Sequence, residues 1–295
     1  MKVLRTPDSR FENLPGYPFA PNYLQITDDL RMHYVDEGPK DAQVVLMLHG
    51  EPSWSYLYRK MIPPVAEAGY RVIAPDLIGF GKSDKPSKIS DYSYQTHMDW
   101  LNAFLDAMEL DNIILFCQDW GSLLGLRLVG EQPDRFARVM LSNGALTTGE
   151  QKMPPAFTVW KTFAQYSPIF PIGKIIDSAT VTDLPKDVIA AYNAPFPSAK
   201  YKAGTRAFPL LVPASTKDPA SAACIKAKEG LSTFEKPFLT VFGKADPVLG
   251  KADKPMRELI PGSKDQPHDR IYGGHFVQED CGEELAQRLI DWCQA

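Results

Sequence analysis

Short continuous apolar runs alternate along the first half of the chain with stretches whose apolar positions recur at helical spacing. Runs such as Val44 to Leu48 and Arg71 to Ala74 lack the in-out alternation of a half-solvated sheet, which predicts strands buried on both faces of a mainly parallel sheet. Tyr23 to Thr27 and Arg31 to Val35 predict a hairpin turning at Asp28-Asp29. Helices are expected around Tyr56 to Ala68 and from Thr96 to Met108, the second with Trp100, Phe104 and Met108 on one face. A strand then runs from Ile113 into Cys117-Gln118-Asp119, and another spans Arg138 to Leu141.

From Thr147 to Leu231 the pattern changes. Proline becomes frequent, apolar strands vanish, and short amphipathic stretches alternate with turns such as Ala194-Pro195-Phe196-Pro197. This reads as a helical insertion, so residues 1–146 and 232–295 form the α/β core and 147–231 a helical cap. Strand character returns at Pro237 to Phe242 and near His268 to Tyr272. Helices are predicted at Lys254 to Leu259 and Glu283 to Cys293.

Composition narrows the choice of partners. Over 295 residues, 44% are hydrophobic and 23% charged, as in an ordinary globular protein. The net charge of -4 with scattered Lys and Arg argues against a nucleic-acid partner. No uninterrupted apolar span suits a membrane, and the N-terminal residues lack a secretory pattern, which predicts a cytoplasmic protein. Cys117, Cys224, Cys281 and Cys293 show no metal-ligand spacing; reduced thiols are expected, with a Cys281–Cys293 pairing left open.

The chemistry concentrates at strand ends. Asp119 stands between a strand and a helix pattern, with Cys117, Gly121 and Ser122 supplying the small side chains that a sharp strand-to-helix turn requires. An Asp there is a ready nucleophile, because a carboxylate is ionised at neutral pH without a base; a plain helix cap is the alternative. Asp246 follows the strand at Pro237 to Phe242 and His275 follows the one near Tyr272, where open α/β sheets build their sites. The order Asp119, Asp246, His275 is that of the nucleophile, acid and base of the α/β-hydrolase fold. His49-Gly50-Glu51-Pro52 occupies the oxyanion-hole position, so the Glu51 and Trp120 amides are the expected donors; a plain turn is the alternative.

With these pieces, the chain resembles the haloalkane dehalogenases of the α/β-hydrolase superfamily. The resemblance rests on His49 to Trp54, Asp76 to Pro86, Gln118-Asp119-Trp120-Gly121 and Gly274-His275-Phe276. It implies an eight-stranded, mostly parallel sheet and conversion of a small halogenated hydrocarbon and water to alcohol and halide ion through an aspartyl ester, without metal or organic cofactor. Phe157-Thr158-Val159-Trp160-Lys161 resembles the segment of the subfamily whose second halide-binding tryptophan lies in the cap, pairing Trp160 with Trp120; an aromatic that only packs the cap is the other reading. Asn143 stands where the other subfamily carries its acid, leaving that role to Asp246. By the same analogy Phe157, Val212, Val248 and Leu249 are candidate pocket walls, although core packing explains them equally well.

Three other functions share parts of the same pattern. An epoxide hydrolase would use the same triad with cap tyrosines, for which Tyr166, Tyr192 and Tyr201 are available. A fluoroacetate-type dehalogenase would carry arginine where Trp120 stands. A ligand receptor on the same fold would have no need of the complete Asp119, Asp246 and His275 set.

Overall fold

In the computed structural model, which describes residues 1–295, strands and helices alternate as the apolar runs predict. The strands are β1 (Val3–Leu4), β2 (Asn22–Thr27), β3 (Leu30–Glu37), β4 (Val44–Leu48), β5 (Arg71–Pro75), β6 (Lys85–Pro86), β7 (Ile113–Gln118), β8 (Phe136–Ser142), β9 (Phe238–Gly243) and β10 (Asp269–Ile271). Eight of them form one sheet of order β10-β9-β8-β7-β4-β5-β3-β2. The hairpin β2/β3 and the β3/β5 pair are antiparallel; the remaining pairs are parallel. Every residue of β4, β7 and β9 is buried, which is why those runs are almost wholly apolar, with Gln118 and Thr240 the polar members. β1 and β6 pair separately.

The helices are α1 (Ile62–Glu67), α2 (Tyr94–Ala107), α3 (Trp120–Glu131), α4 (Pro155–Tyr166), α5 (Ile172–Asp177), α6 (Lys186–Asn193), α7 (Ala203–Leu211), α8 (Ser221–Leu231), α9 (Asp253–Leu259) and α10 (Val277–Gln294). The single helix expected over 56–68 is divided into a 3₁₀ turn at Ser55–Tyr58 and α1. Pro63 and Pro64 are the cause: without N–H groups they cannot continue a helical ladder from the preceding turn, but they suit the start of a new one. α2 begins before Thr96 because Ser93 and Thr96 form a reciprocal cap. The closing helix also starts earlier than Glu283, with non-helical angles at Cys281.

Helices α4 to α7 fall within the 147–231 interval, as does α8, but α8 packs on α3 beside the sheet. At this crossing a Cβ on Gly230 would lie 2.0 Å from the Gly130 carbonyl oxygen, so the backbones meet where neither residue has a side chain. All four cysteines are free thiols. No helix is long and apolar enough to cross a membrane.

Candidate active site

The turn from β7 to α3 places Asp119 at φ 50°, ψ -123°, a conformation that costs a non-glycine residue energy and persists only under surrounding restraint. Several contacts supply that restraint. The Asp119 amide donates to the Asn143 carbonyl at 3.1 Å, and Ser122 Oγ donates to the Asp119 carbonyl at 2.5 Å. A Cβ on Gly121 would sit 1.9 Å from the Leu48 carbonyl oxygen, and one on Gly50 would sit 2.4 Å from Asp119 Oδ1. Only glycine allows β4 and the elbow to approach this closely.

Asp119 Oδ1 accepts the Glu51 amide at 2.7 Å, and its Oδ2 lies 3.5 Å from His275 Nε2. His275 Nδ1 is 2.9 Å from Asp246 Oδ2. The second Asp246 oxygen accepts the amides of Val248 and Leu249 at 2.8 and 3.1 Å, so the loop after β9 fixes the carboxylate behind the imidazole. Burial opposes the imidazolium, but the Asp246 and Asp119 carboxylates outweigh it and raise His275 to about 10. Burial likewise opposes ionisation of Asp246, yet the His275 ring and the two amides hold that carboxyl below its ordinary value. Burial, followed by the Asp119 charge, pushes the Glu51 carboxyl well above the usual range; its Oε1 has no partner.

The sequence puts Asn143 where the other subfamily carries its acid and gives it no contacts. The structure gives it three: its fully buried amide donates to Asp246 Oδ2 at 3.0 Å and to the Gly274 carbonyl at 2.9 Å, and accepts from the Gly243 amide at 2.6 Å. It thereby joins the ends of β8 and β9 to the loop that carries the histidine. Gln118 Nε2 adds a bond to the His275 carbonyl at 3.1 Å. Behind the elbow, Asp76 accepts the amides of Ser55 and Lys82 and bonds His33, fixing the segment that carries Glu51.

Above these groups lies a cavity of about 430 Å³, and 14 of its 24 lining residues are hydrophobic, so its walls favour an apolar guest. It gathers Glu51, Asp119, Trp120, Phe157, Trp160, Val212, Val248, Leu249 and His275; Asp246 stays behind the imidazole and does not line it. The Trp120 indole is stacked on Phe208 of α7, with centroids 4.2 Å apart and planes at 24°. Trp160, on α4, sits among Phe163 and Phe170. Wall residues absent from the sequence expectation include Met153, Ile175, Ala179, Val181 and Pro209, which no local pattern singles out. No group of three or more His, Cys, Asp or Glu side chains is arranged to hold a metal ion.

The tyrosines considered for epoxide activation do not reach this cavity. Tyr166 is 73% exposed, Tyr192 is buried with its hydroxyl on Glu279, and the Tyr201 hydroxyl is 3.5 Å from the Arg5 carbonyl.

Residues 43–171 match the family model for the alpha/beta hydrolase fold. A haloalkane dehalogenase of Mycolicibacterium paratuberculosis is 56% identical over 100% of this chain and 99% of its own. One from Psychrobacter cryohalolentis is also 56% identical, over 99% and 98%. Among solved structures, the tetrameric haloalkane dehalogenase DpaA from Paraglaciecola agarilytica NO2 superposes with a TM-score of 0.91 at 38% identity, covering 98% of this chain and 97% of that one. The chain therefore belongs to the haloalkane dehalogenases of the α/β-hydrolase fold.

Proposed function

We propose that this protein hydrolyses small halogenated hydrocarbons through a covalent ester on Asp119. The observation that carries the reading is a carboxylate backed by an imidazole and facing an apolar cavity lined by two indoles. Asp119 Oδ2 attacks the carbon bearing the halogen; the carbon–halogen bond breaks, and halide leaves with the bonding electrons. Trp120 and Trp160 receive the anion, since indole N–H donates without presenting a competing acceptor.

Ester formation then changes the base. The negative charge of Asp119 is one of the influences that raise His275, and it disappears when the carboxylate becomes an ester. His275 sheds its proton, takes one from water, and the resulting hydroxide attacks the Asp119 carbonyl carbon. The Glu51 and Trp120 amides stabilise the oxyanion, and collapse releases alcohol and restores the carboxylate. Asp246 orients the imidazole and stabilises its cation. The balance is haloalkane plus water to alcohol, halide and proton, with no cofactor in any step. The interval 147–231, α8 excepted, serves as the lid over the site, with Phe157, Val212, Val248 and Leu249 as pocket walls.

The direct test is bromide release from a short 1-bromoalkane beside turnover of the corresponding epoxide. Bromide release without diol formation is expected; diol formation without bromide release would transfer the assignment to epoxide hydrolysis. Trp160→Phe keeps an aromatic on α4 but removes the N–H. Bromide binding, titrated by tryptophan fluorescence, should weaken about tenfold, the scale of one hydrogen bond to a charge. An unchanged affinity would leave Trp160 with packing alone.

A further inference from the structure

We propose that the first turn of α10 couples the segment 179–182 to the catalytic base, with Asp280 as a positioning residue for His275. This rests on the role given above to His275 in ester hydrolysis. α10 begins at Val277, two residues after His275, and carries two successive carboxylates that both reach into the 147–231 interval. Glu279, fully buried, accepts two bonds from Arg59 and one from the hydroxyl of Tyr192 on α6. Asp280 accepts the amides of Val181 at 3.2 Å and Thr182 at 2.9 Å, and also the Gly274 amide at 2.8 Å.

One side chain thus ties the peptide just before the base to a segment of cavity wall. A second tie runs parallel to it: the His275 amide donates to the Ala179 carbonyl at 2.7 Å. There is no slack between the two strands of chain, since a Cβ on Gly274 would lie 2.4 Å from that same carbonyl oxygen. Ala179, Thr180 and Val181 line the cavity together with His275. Movement of this wall is therefore transmitted to the backbone that sets the imidazole.

The residue type fits the task. A carboxylate accepts at both oxygens and donates at neither, so it can hold three converging amides, whereas a carboxamide presents an N–H₂ group to one of them. The contacts of Asp280 lie on the histidine side of the site and touch neither the elbow nor the tryptophans. Loss of the clip should consequently fall on proton abstraction from water and leave attack by Asp119 in place.

The test separates the two half-reactions. Asp280→Ala and Asp280→Asn are mixed rapidly with a 1-bromoalkane; the bromide burst reports ester formation, and intact mass reports decay of the adduct. For Asp280→Ala the adduct should accumulate and decay about tenfold more slowly, a modest share of what misplacing a catalytic group can cost, with the burst rate within about twofold of wild type. Asp280→Asn, which keeps one accepting oxygen and the side-chain shape, should lie between. Unchanged decay in both variants overturns the proposal. Equal slowing of both steps with a lowered Tm does so too, because that is the signature of a merely structural residue. His275→Gln run alongside distinguishes the failures: if it traps adduct while the Asp280 variants decay normally, only the coupling is wrong, and if it traps none, the assignment of His275 falls with the coupling.

Discussion

Bromide release by the Asp119→Asn variant is expected to fall by about 10⁴-fold or more, the scale of losing the group that makes the covalent bond. A carboxamide has nearly the same shape but no charge, and its lone pairs are delocalised, so in-line displacement at carbon loses its nucleophile. The fold should persist. Asn tolerates positive φ, its side-chain oxygen can still accept the Glu51 amide, and the Gly50 and Gly121 contacts remain as they are. Bromide titration should then still report binding near the tryptophans, which separates lost chemistry from a lost site. Intact mass before and after the assay guards against deamidation restoring Asp. Residual release within about a hundredfold of wild type, with no such restoration, would remove Asp119 from the nucleophile role.

The steric demands of the elbow made it legible in advance. Gly121 is small because the turn closes on Leu48 of β4, which also pairs with Cys117, and Ser122 is small because it packs against Gly144 and Ala145 after β8; those requirements leave a local trace. β4 and β7 were equally legible, since strands buried on both faces need unbroken apolar runs. The break in the 56–68 helix left its own trace in Pro63-Pro64. Contacts between distant segments left none. Asn143 joins Asp246, Gly243 and Gly274 only because β8 and β9 lie side by side, a fact of sheet order that no local window contains. Nothing local in the sequence tells that the Tyr192 hydroxyl donates to Glu279, 87 residues away, rather than to a substrate. Phe208 is equally silent in the sequence: it becomes the platform under Trp120 only because the fold brings α7 to the first residue of α3.

His275→Gln should give a single turnover: about one equivalent of bromide per enzyme, then near silence as hydrolysis slows by about 10²- to 10⁴-fold, the usual contribution of a general base. Glutamine keeps polar atoms near the Asp246 carboxylate but cannot accept a proton from water at neutral pH. Attack by Asp119 needs no base, so ester formation proceeds and the alkyl adduct should appear by intact mass. The pH dependence provides a second reading of the same residue. In the resting site the carboxylates of Asp246 and Asp119 hold the imidazole protonated up to about 10, which would leave it useless as a base at neutral pH. Esterification removes the Asp119 contribution, so the imidazole should become basic only after the first step. Decay of the wild-type adduct should therefore rise with pH and level off well below 10, while the histidine of the free enzyme, followed by NMR, titrates near 10. Coincidence of the two titrations would show that the charge on Asp119 does not control the base. Continued bromide release by His275→Gln over many turnovers without a trapped adduct would remove His275 from the base role.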